Sequence, residues 1–279
     1  MFTLNSKVYS FGLGYLLRKL YFRPGFPIGK ARRLSWIEKI FGRRNILVRT
    51  IPGFLFSCDQ RDWLQRNLLC NRVHELEVTT LLKAKLGASD IFFDIGANAG
   101  YFSALALACG VSRVIAFEPD PDTCNVMRRQ FAINDWDPSR WRIAQLGLSD
   151  REGYQDLIRG SDAGESGFGD WPYREVVGRL RVKVGSLNDF CCRYEIRPTV
   201  IKIDVEGWEF PVLNGADKIL NAPETRLIIF EAEIIPTGQI KDDRLSAIFK
   251  KNGFTVTHIP RPSGTLKVTE NFCAIREQS

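Results

Sequence analysis

Three charged residues interrupt an apolar stretch of this sequence, at a spacing that would let their side chains act together on a ligand. Lys202, Asp204 and Glu206 alternate with other residues along 200–207, so a strand through this stretch would turn all three side chains in one direction. Charges on a buried strand are costly unless they pair with one another or serve a ligand. Glu231 stands in a similar place, directly after a second apolar run. A carboxylate at such a position can orient a hydroxyl group and accept its proton.

A glycine-containing turn follows another apolar run. Residues 91–95 surround Asp94 with apolar side chains, as in a strand buried on both faces of a parallel sheet. The turn 96–100 comes next, and a helical pattern begins at Tyr101. Glycines let such a turn bend sharply and let a ligand approach the backbone, while the helix start offers N–H groups. We therefore predict a ligand-binding loop made of Asp94, Gly96, Asn98, Gly100 and Tyr101.

The next apolar run ends in an acidic residue. Glu118 follows 113–117 and precedes Pro119, which stops the strand. A carboxylate there can accept hydrogen bonds from both hydroxyls of a ribose. A dinucleotide site has the pattern G-x-G-x-x-G, whose middle glycine makes room for a pyrophosphate, but Asn98 holds the middle position here. The residues predict a ligand with an adenosine-like ribose and no pyrophosphate.

Five motifs follow one another between residues 94 and 233: DIGANAGYFS, AFEPD, LGLSD, IKIDVEGWEFPVLNGA and LIIFEAE. In sequence and in order, the chain resembles the FkbM family of S-adenosylmethionine-dependent methyltransferases over about residues 75–275. The resemblance implies a Rossmann-like class I methyltransferase fold and S-adenosylmethionine as cofactor. It also implies methylation of a hydroxyl on a saccharide or other small metabolite, and it leaves the acceptor itself open.

At the methyl-transfer centre we expect Asp204, which would contact the cofactor and is the first candidate for proton acceptor. Glu206 and Glu231 are the second candidates, and Lys202 would pair with one of these acids. A purely structural set of ion pairs is an alternative for the same residues. A divalent cation held by Asp204 and Glu231 is another, although we predict no metal site because the resemblance does not require one.

The resemblance implies further contacts to the cofactor. Leu148 and Ser149, at the exit of the third strand, would flank the adenine. Either Glu75 or Glu77, on the helix before the sheet, would lie near the cofactor. Asn188 departs from the family, which prefers an aspartate there, so no role is assigned to it.

The predicted fold class is α/β, with a seven-stranded, mostly parallel sheet that ends in an antiparallel strand pair. The predicted organisation is a basic N-terminal arm over 1–50, a helical lead-in with a short hairpin over 51–88, and a methyltransferase domain over 89–279. Within the lead-in, the leucine spacing from Trp63 to Leu86 predicts one helix. The glycine-rich stretch 160–170 reads as a mobile lid over the substrate or as a plain hairpin tip.

The positive charge is concentrated at the N-terminus. Residues 1–49 contain eleven Lys or Arg and one acid, Glu38, a net charge of +10, whereas the rest of the chain carries −3. The arm also contains many aromatic and aliphatic residues, so it could pack on the domain, lie on an anionic membrane surface or contact nucleic acid. The acidic body argues against nucleic acid as a partner, and the predicted partner is a small-molecule or glycan acceptor.

Composition and the cysteine pattern bear on where the protein is located. No apolar run approaches the roughly 20 residues that span a bilayer, and the first residues do not have the order of a secretory signal. The seven cysteines lack the spacing of a metal site or a disulfide framework, which favours a reducing cytoplasm as the location. Peripheral contact with the membrane surface through the basic arm is compatible with this location. Two other functions stay open: a nucleic-acid methyltransferase recruited by the arm, and a non-catalytic module that binds the cofactor. The sequence does not predict the oligomeric state.

Overall fold

The structure, a computed structural model, describes residues 45–59, 62–160, 166–168, 176–262 and 268–277. Almost all of the basic arm and most of the glycine-rich stretch lie outside these residues, so the interpretations of both stay predictions. The chain forms two compact units, one ending at His74 and the other beginning at Glu75. The predicted division at residues 50 and 88 stays a prediction as well.

The first unit contains the predicted hairpin, with strands β1 (Ile46–Arg49) and β2 (Leu55–Cys58) paired antiparallel. Helix α1 (Trp63–Asn71) follows, and its end at Arg72 has the left-handed backbone angle φ 61°. The single helix predicted from Trp63 to Leu86 is therefore wrong. The break falls between Leu69 and Leu76, where the apolar spacing on which the prediction rested is interrupted.

The second unit is built on a seven-stranded sheet. From one edge to the other its strands are β11 (Phe254–His258), β12 (Thr269–Arg276), β10 (Leu227–Glu233), β9 (Val200–Ile203), β3 (Ile91–Ile95), β4 (Arg113–Phe117) and β5 (Trp141–Ala144). Strand β12 runs antiparallel to both of its neighbours, and the other neighbouring pairs are parallel. The predicted mostly parallel sheet with a terminal antiparallel pair is confirmed.

Helices cover the sheet on both faces, as the alternation of apolar runs along the chain requires. They are α2 (Leu76–Lys85), α3 (Tyr101–Ala108), α4 (Pro121–Ala132), α5 (Leu187–Tyr194), α6 (Glu209–Asn214), α7 (Asp217–Asn221) and α8 (Asp243–Lys251), with a 3-10 turn at Pro138–Arg140. One sheet face contributes Phe93, Ile201 and Phe230 to the apolar core. Because strand residues alternate, Asp94 and Lys202 point to the opposite face.

A separate three-stranded sheet, with strand order β6-β8-β7, consists of β6 (Gly147–Leu148), β7 (Gly153–Gly160) and β8 (Val176–Gly185). The sequence pattern had assigned the first of these strands to the exit of β5, but Leu148 pairs with Gly185 in the second sheet. In the part of the chain that is described, no helix is long and apolar enough to cross a membrane.

Candidate active site

The strand register brings three of the predicted residues to one face of the sheet. Asp94 on β3 and Lys202 on β9 are direct neighbours, and Lys202 is paired on its other side with Ile229 on β10. Glu231 lies two residues beyond Ile229 and therefore projects from the same face. These side chains lie at or near the carboxyl ends of parallel strands, where open α/β sheets bind ligands.

Strand β9 is shorter than the sequence pattern predicted. It ends at Ile203, and Glu206 adopts a left-handed conformation with φ 51° in the turn that follows. The buried carboxylate of Glu209 holds this turn by accepting hydrogen bonds of 3.3 Å from the backbone N–H groups of Val205 and Gly207. Strand alternation to residue 207 was thus the wrong reason for placing Glu206 near Asp204, since the turn brings it there instead.

The turn and β10 create a group of three carboxylates. Oxygen atoms of Asp204, Glu206 and Glu231 all lie within 4.8 Å of one another. Burial, and then the charges of Asp204 and Glu206, raise the pKa of Glu231 well above its ordinary value. Like charges this close favour a shared proton or a bound cation.

Lys202 is the cationic partner of this group. Its side chain is buried, and its Nζ donates a 2.7 Å hydrogen bond to Oδ2 of Asp204 while lying 4.5 Å from the centre of the Phe102 ring. Burial alone would lower the pKa of Lys202, but the charges of Asp204, Glu75 and Asp94 raise it. The ammonium group therefore stays charged and fixes one oxygen of Asp204.

Of the two glutamates considered on the helix before the sheet, only Glu75 faces these residues. It precedes α2 with a left-handed φ of 38°, and its Oε2 is buried without a hydrogen-bond partner among the described residues. Its charge acts on Lys202 and Glu231. Glu77 instead forms an ion pair of 3.8 Å with Arg261.

Asp94 is buried at the end of its strand, and the glycine loop that follows it packs directly on Asp204. The Asp94 side chain is 1% exposed, its Oδ2 accepts a 2.7 Å hydrogen bond from Ser103 Oγ, and its Oδ1 is buried without a partner among the described residues. Burial raises the pKa of Asp94. The loop turns at Gly96, which has φ 77° and packs so closely on the Asp204 backbone that a β-carbon would overlap its carbonyl oxygen.

Glu118 is fixed beside the same loop. Its Oε2 accepts a 3.0 Å hydrogen bond from the backbone N–H of Asn98, and its Oε1 accepts one of 3.0 Å from that of Asp120. Asn98 has a left-handed φ of 49°, which Asn tolerates better than most residues. Burial raises the pKa of Glu118 to about 7. Gly100 completes the loop, since a β-carbon there would lie 2.5 Å from Met127 Cγ.

The remaining predicted contacts lie in packed surroundings. The Tyr101 hydroxyl is 3.3 Å from Thr79 Oγ1, between α3 and α2. Leu148 belongs to the apolar core, and the backbone N–H of Ser149 donates to the carbonyl of Gly185. The contacts of these residues to a cofactor stay predictions.

Asn271 is a further candidate residue that no sequence motif indicates. This residue lies directly across from Glu231 on β12, is 3% exposed, and has an Nδ2 with no hydrogen-bond partner among the described residues. The sequence predicts this strand only as part of the antiparallel pair that ends the sheet. Its pairing with β10 joins segments about 40 residues apart, and no local motif indicates that register.

Known proteins that are similar to this chain are methyltransferases. A family model described as the methyltransferase FkbM domain matches residues 94–256. Hexuronic acid methyltransferase AglP from Haloferax volcanii is 26% identical over 225 residues, which cover 76% of this chain and 85% of that protein. Methyltransferase sdnD from Sordaria araneosa is 24% identical over 212 residues, covering 62% of this chain and 77% of that protein.

A crystal structure of methyltransferase FkbM from Methylobacillus flagellatus has the same fold. It aligns with a TM-score of 0.50 and 16% sequence identity, over 75% of this chain and 52% of the other. This chain therefore spans about half the length of that protein. The predicted class I methyltransferase fold is confirmed.

Proposed function

This chain belongs to the family of methyltransferases with an FkbM domain, and from that membership we propose that it transfers a methyl group to a hydroxyl of a saccharide or similar small metabolite. Methyl transfer and S-adenosylmethionine as cofactor follow from the family. The hydroxyl acceptor is our proposal, and one observation carries it: oxygen atoms of Asp204, Glu206 and Glu231 lie within 4.8 Å of one another, and Lys202 pairs with Asp204.

The residues around the glycine loop fit the cofactor. The carboxylate of Glu118 is held by two backbone N–H groups and keeps lone pairs for a ribose diol. Oδ1 of Asp94 is a buried acceptor without a partner among the described residues, which suits the amino group of the methionine moiety. When bound, S-adenosylmethionine supplies a methyl group activated by positively charged sulfur.

The protein must then orient the acceptor oxygen and remove its proton. We assign the first task to Asp204, because Lys202 fixes one of its oxygens with a 2.7 Å hydrogen bond. The other oxygen can accept a hydrogen bond from the acceptor hydroxyl and later its proton. Glu231 can receive that proton through one bridging water, since oxygen atoms of the two carboxylates lie within 4.8 Å of each other. The raised pKa of Glu231 favours keeping the proton on that carboxylate.

As the group that receives the methyl, a hydroxyl suits these side chains better than a carboxylate does. Ionised carboxylates accept hydrogen bonds but donate none, so they match the O–H groups of a saccharide. The similarity to a hexuronic acid methyltransferase supports a carbohydrate. That relative's name leaves open whether a hydroxyl or a carboxyl group receives the methyl.

The test is transfer of a radiolabelled methyl group from S-adenosylmethionine to a panel of neutral saccharides, uronic acids and RNA. We expect label on a saccharide in a form that mild alkali does not release, as for an ether. Asp204→Asn should slow transfer by about 100-fold or more, the usual contribution of a general base. The matched control is Asp243→Asn, which changes an exposed aspartate at the start of α8 and should leave the rate unchanged. Alkali-labile label would indicate an ester and overturn the hydroxyl assignment, and label on RNA alone would overturn the carbohydrate.

A further inference from the structure

We propose that Asp204, Glu206 and Glu231, together with the side-chain amide of Asn271, form a binding site for a hard divalent cation such as Mg²⁺ or Mn²⁺. The inference rests on the proposed function only for the role of the cation, which would be to bind the acceptor oxygen. The site itself is argued from geometry and charge.

The distances suit such an ion. One oxygen from each of the three carboxylates lies within 4.8 Å of the other two. Oxygen ligands at about 2.1–2.4 Å from a cation are about 3 Å apart when adjacent and about 4–5 Å apart when opposite. The three side chains thus need only small rotations to share one ion, and carboxylate oxygens are the ligands that Mg²⁺, Mn²⁺ and Ca²⁺ prefer.

Charge favours the same conclusion. The ammonium group of Lys202 donates to Asp204, yet the charges of Glu75, Asp204 and Glu206 all act on Glu231. Several carboxylates that face one another in a partly buried site repel unless protons or cations compensate them. A divalent ion would supply two positive charges at the point where the oxygens converge.

The surroundings of Asn271 support the cation site independently of the three carboxylates. It is 3% exposed, and its Nδ2 has no hydrogen-bond partner among the described residues. Because it is paired directly with Glu231 across antiparallel strands, both side chains project from the same face as close neighbours. The two ends of an amide are assigned from hydrogen bonding, which gives no assignment here. With the amide turned over, Oδ1 would be a neutral oxygen ligand for the same cation.

The site can be tested without acceptor or methyl donor. The full chain, dialysed against EDTA and then against metal-free buffer, is titrated with MnCl₂ while free Mn²⁺ is followed by electron paramagnetic resonance. We expect one saturable site that Mg²⁺ displaces. Glu231→Gln should weaken Mn²⁺ binding at least tenfold, Asn271→Ala should weaken it, and Asn271→Asp should restore or strengthen it. The matched control is Glu224→Gln, which changes an exposed glutamate and should leave the affinity unchanged.

Several results would overturn the inference: no saturable binding by the wild type, equal affinity in Glu231→Gln, or equal affinity in Asn271→Ala and Asn271→Asp. Circular dichroism shows which variants are folded, and Glu206→Gln replaces Glu231→Gln if the latter is not. If the wild-type chain shows no Mn²⁺ site but still transfers methyl groups in EDTA, the cation site is ruled out and the proposed function stands. If the chain binds Mn²⁺ at this site but methylates no hydroxyl, the cation site stands and the proposed function is ruled out.

Discussion

Gly96 packs directly on the backbone of Asp204. A β-carbon at position 96 would overlap the Asp204 carbonyl oxygen, and the Asp204 N–H donates a 2.9 Å hydrogen bond to the carbonyl of Ile95. The loop assigned to the cofactor and the acid assigned to the acceptor are therefore fixed to each other through main-chain atoms. Displacing one must displace the other.

Gly96→Ala should consequently disturb both functions. The variant combines an overlap with backbone atoms and an L-residue at φ 77°, whereas Gly110→Ala has nearly the same φ of 84° and open space around its β-carbon. A left-handed conformation costs a non-glycine residue about 1–2 kcal/mol, so Gly110→Ala should lose that amount and Gly96→Ala clearly more. Urea denaturation and calorimetric titration with S-adenosylmethionine measure the two effects. Equal losses in the two variants would show that the close packing has no consequence.

The pKa of Glu118 predicts how cofactor affinity depends on pH. This pKa is raised to about 7, so the carboxyl group is largely protonated at pH 6 and largely ionised at pH 8. The ionised group offers an acceptor oxygen to each ribose hydroxyl, whereas protonation turns one of these oxygens into a donor and weakens the contact. The affinity for S-adenosylmethionine should therefore rise between pH 6 and pH 8, and Glu118→Gln should flatten this dependence. An unchanged pH dependence in Glu118→Gln would contradict the assignment.

Glu209 predicts an effect on stability. Its pKa is raised from 4.5 to about 7, chiefly by burial. Between these values the unfolded chain has lost the proton and the folded chain has kept it, so this group's contribution to stability is present below pH 4.5 and is lost as the pH rises through 7. Glu209→Gln keeps an acceptor for the Val205 and Gly207 N–H groups without the buried charge. The difference in free energy of unfolding between Glu209→Gln and the wild type, measured by urea denaturation, should grow in favour of the variant from pH 5 to pH 8. A difference that stays constant over this range would refute the prediction.

Lys202 and Asp204 should behave as a coupled pair. Removing one partner of a buried ion pair typically costs about 3–5 kcal/mol because the other charge stays buried, so Lys202→Met should lower the free energy of unfolding by about that amount. Asp204 is partly exposed, with 29% of its side chain accessible, which places the expected value at the lower end. The double variant Lys202→Met/Asp204→Asn should recover part of the loss in a denaturation cycle. Additive losses would show that the two side chains do not interact.

Local patterns in the sequence predicted the elements that hold the site. The glycine turn, the apolar run around Asp94 and the apolar run before Glu118 each form one strand or turn, so each signal is contained within a few residues. The order of apolar runs and helical patterns predicted alternating strands and helices, because parallel strands need crossover connections, whereas the seven-stranded sheet with its antiparallel pair was implied by the family resemblance.

Features that depend on contacts between distant segments were not predictable in this way. Strand β9 ends at Ile203 because Glu209 holds the following turn, and β6 belongs to a second sheet because Leu148 pairs with Gly185. Asn271 faces Glu231 only through the register of two antiparallel strands. Each of these relationships is a property of the folded chain and not of a local pattern.

The most direct test of the account is a calorimetric titration of S-adenosylmethionine into the wild-type chain and into Glu118→Ala. We expect saturable binding by the wild type and loss of that binding in a variant that circular dichroism shows to be folded. Absence of binding by the folded wild type, or equal binding by both proteins, would contradict it.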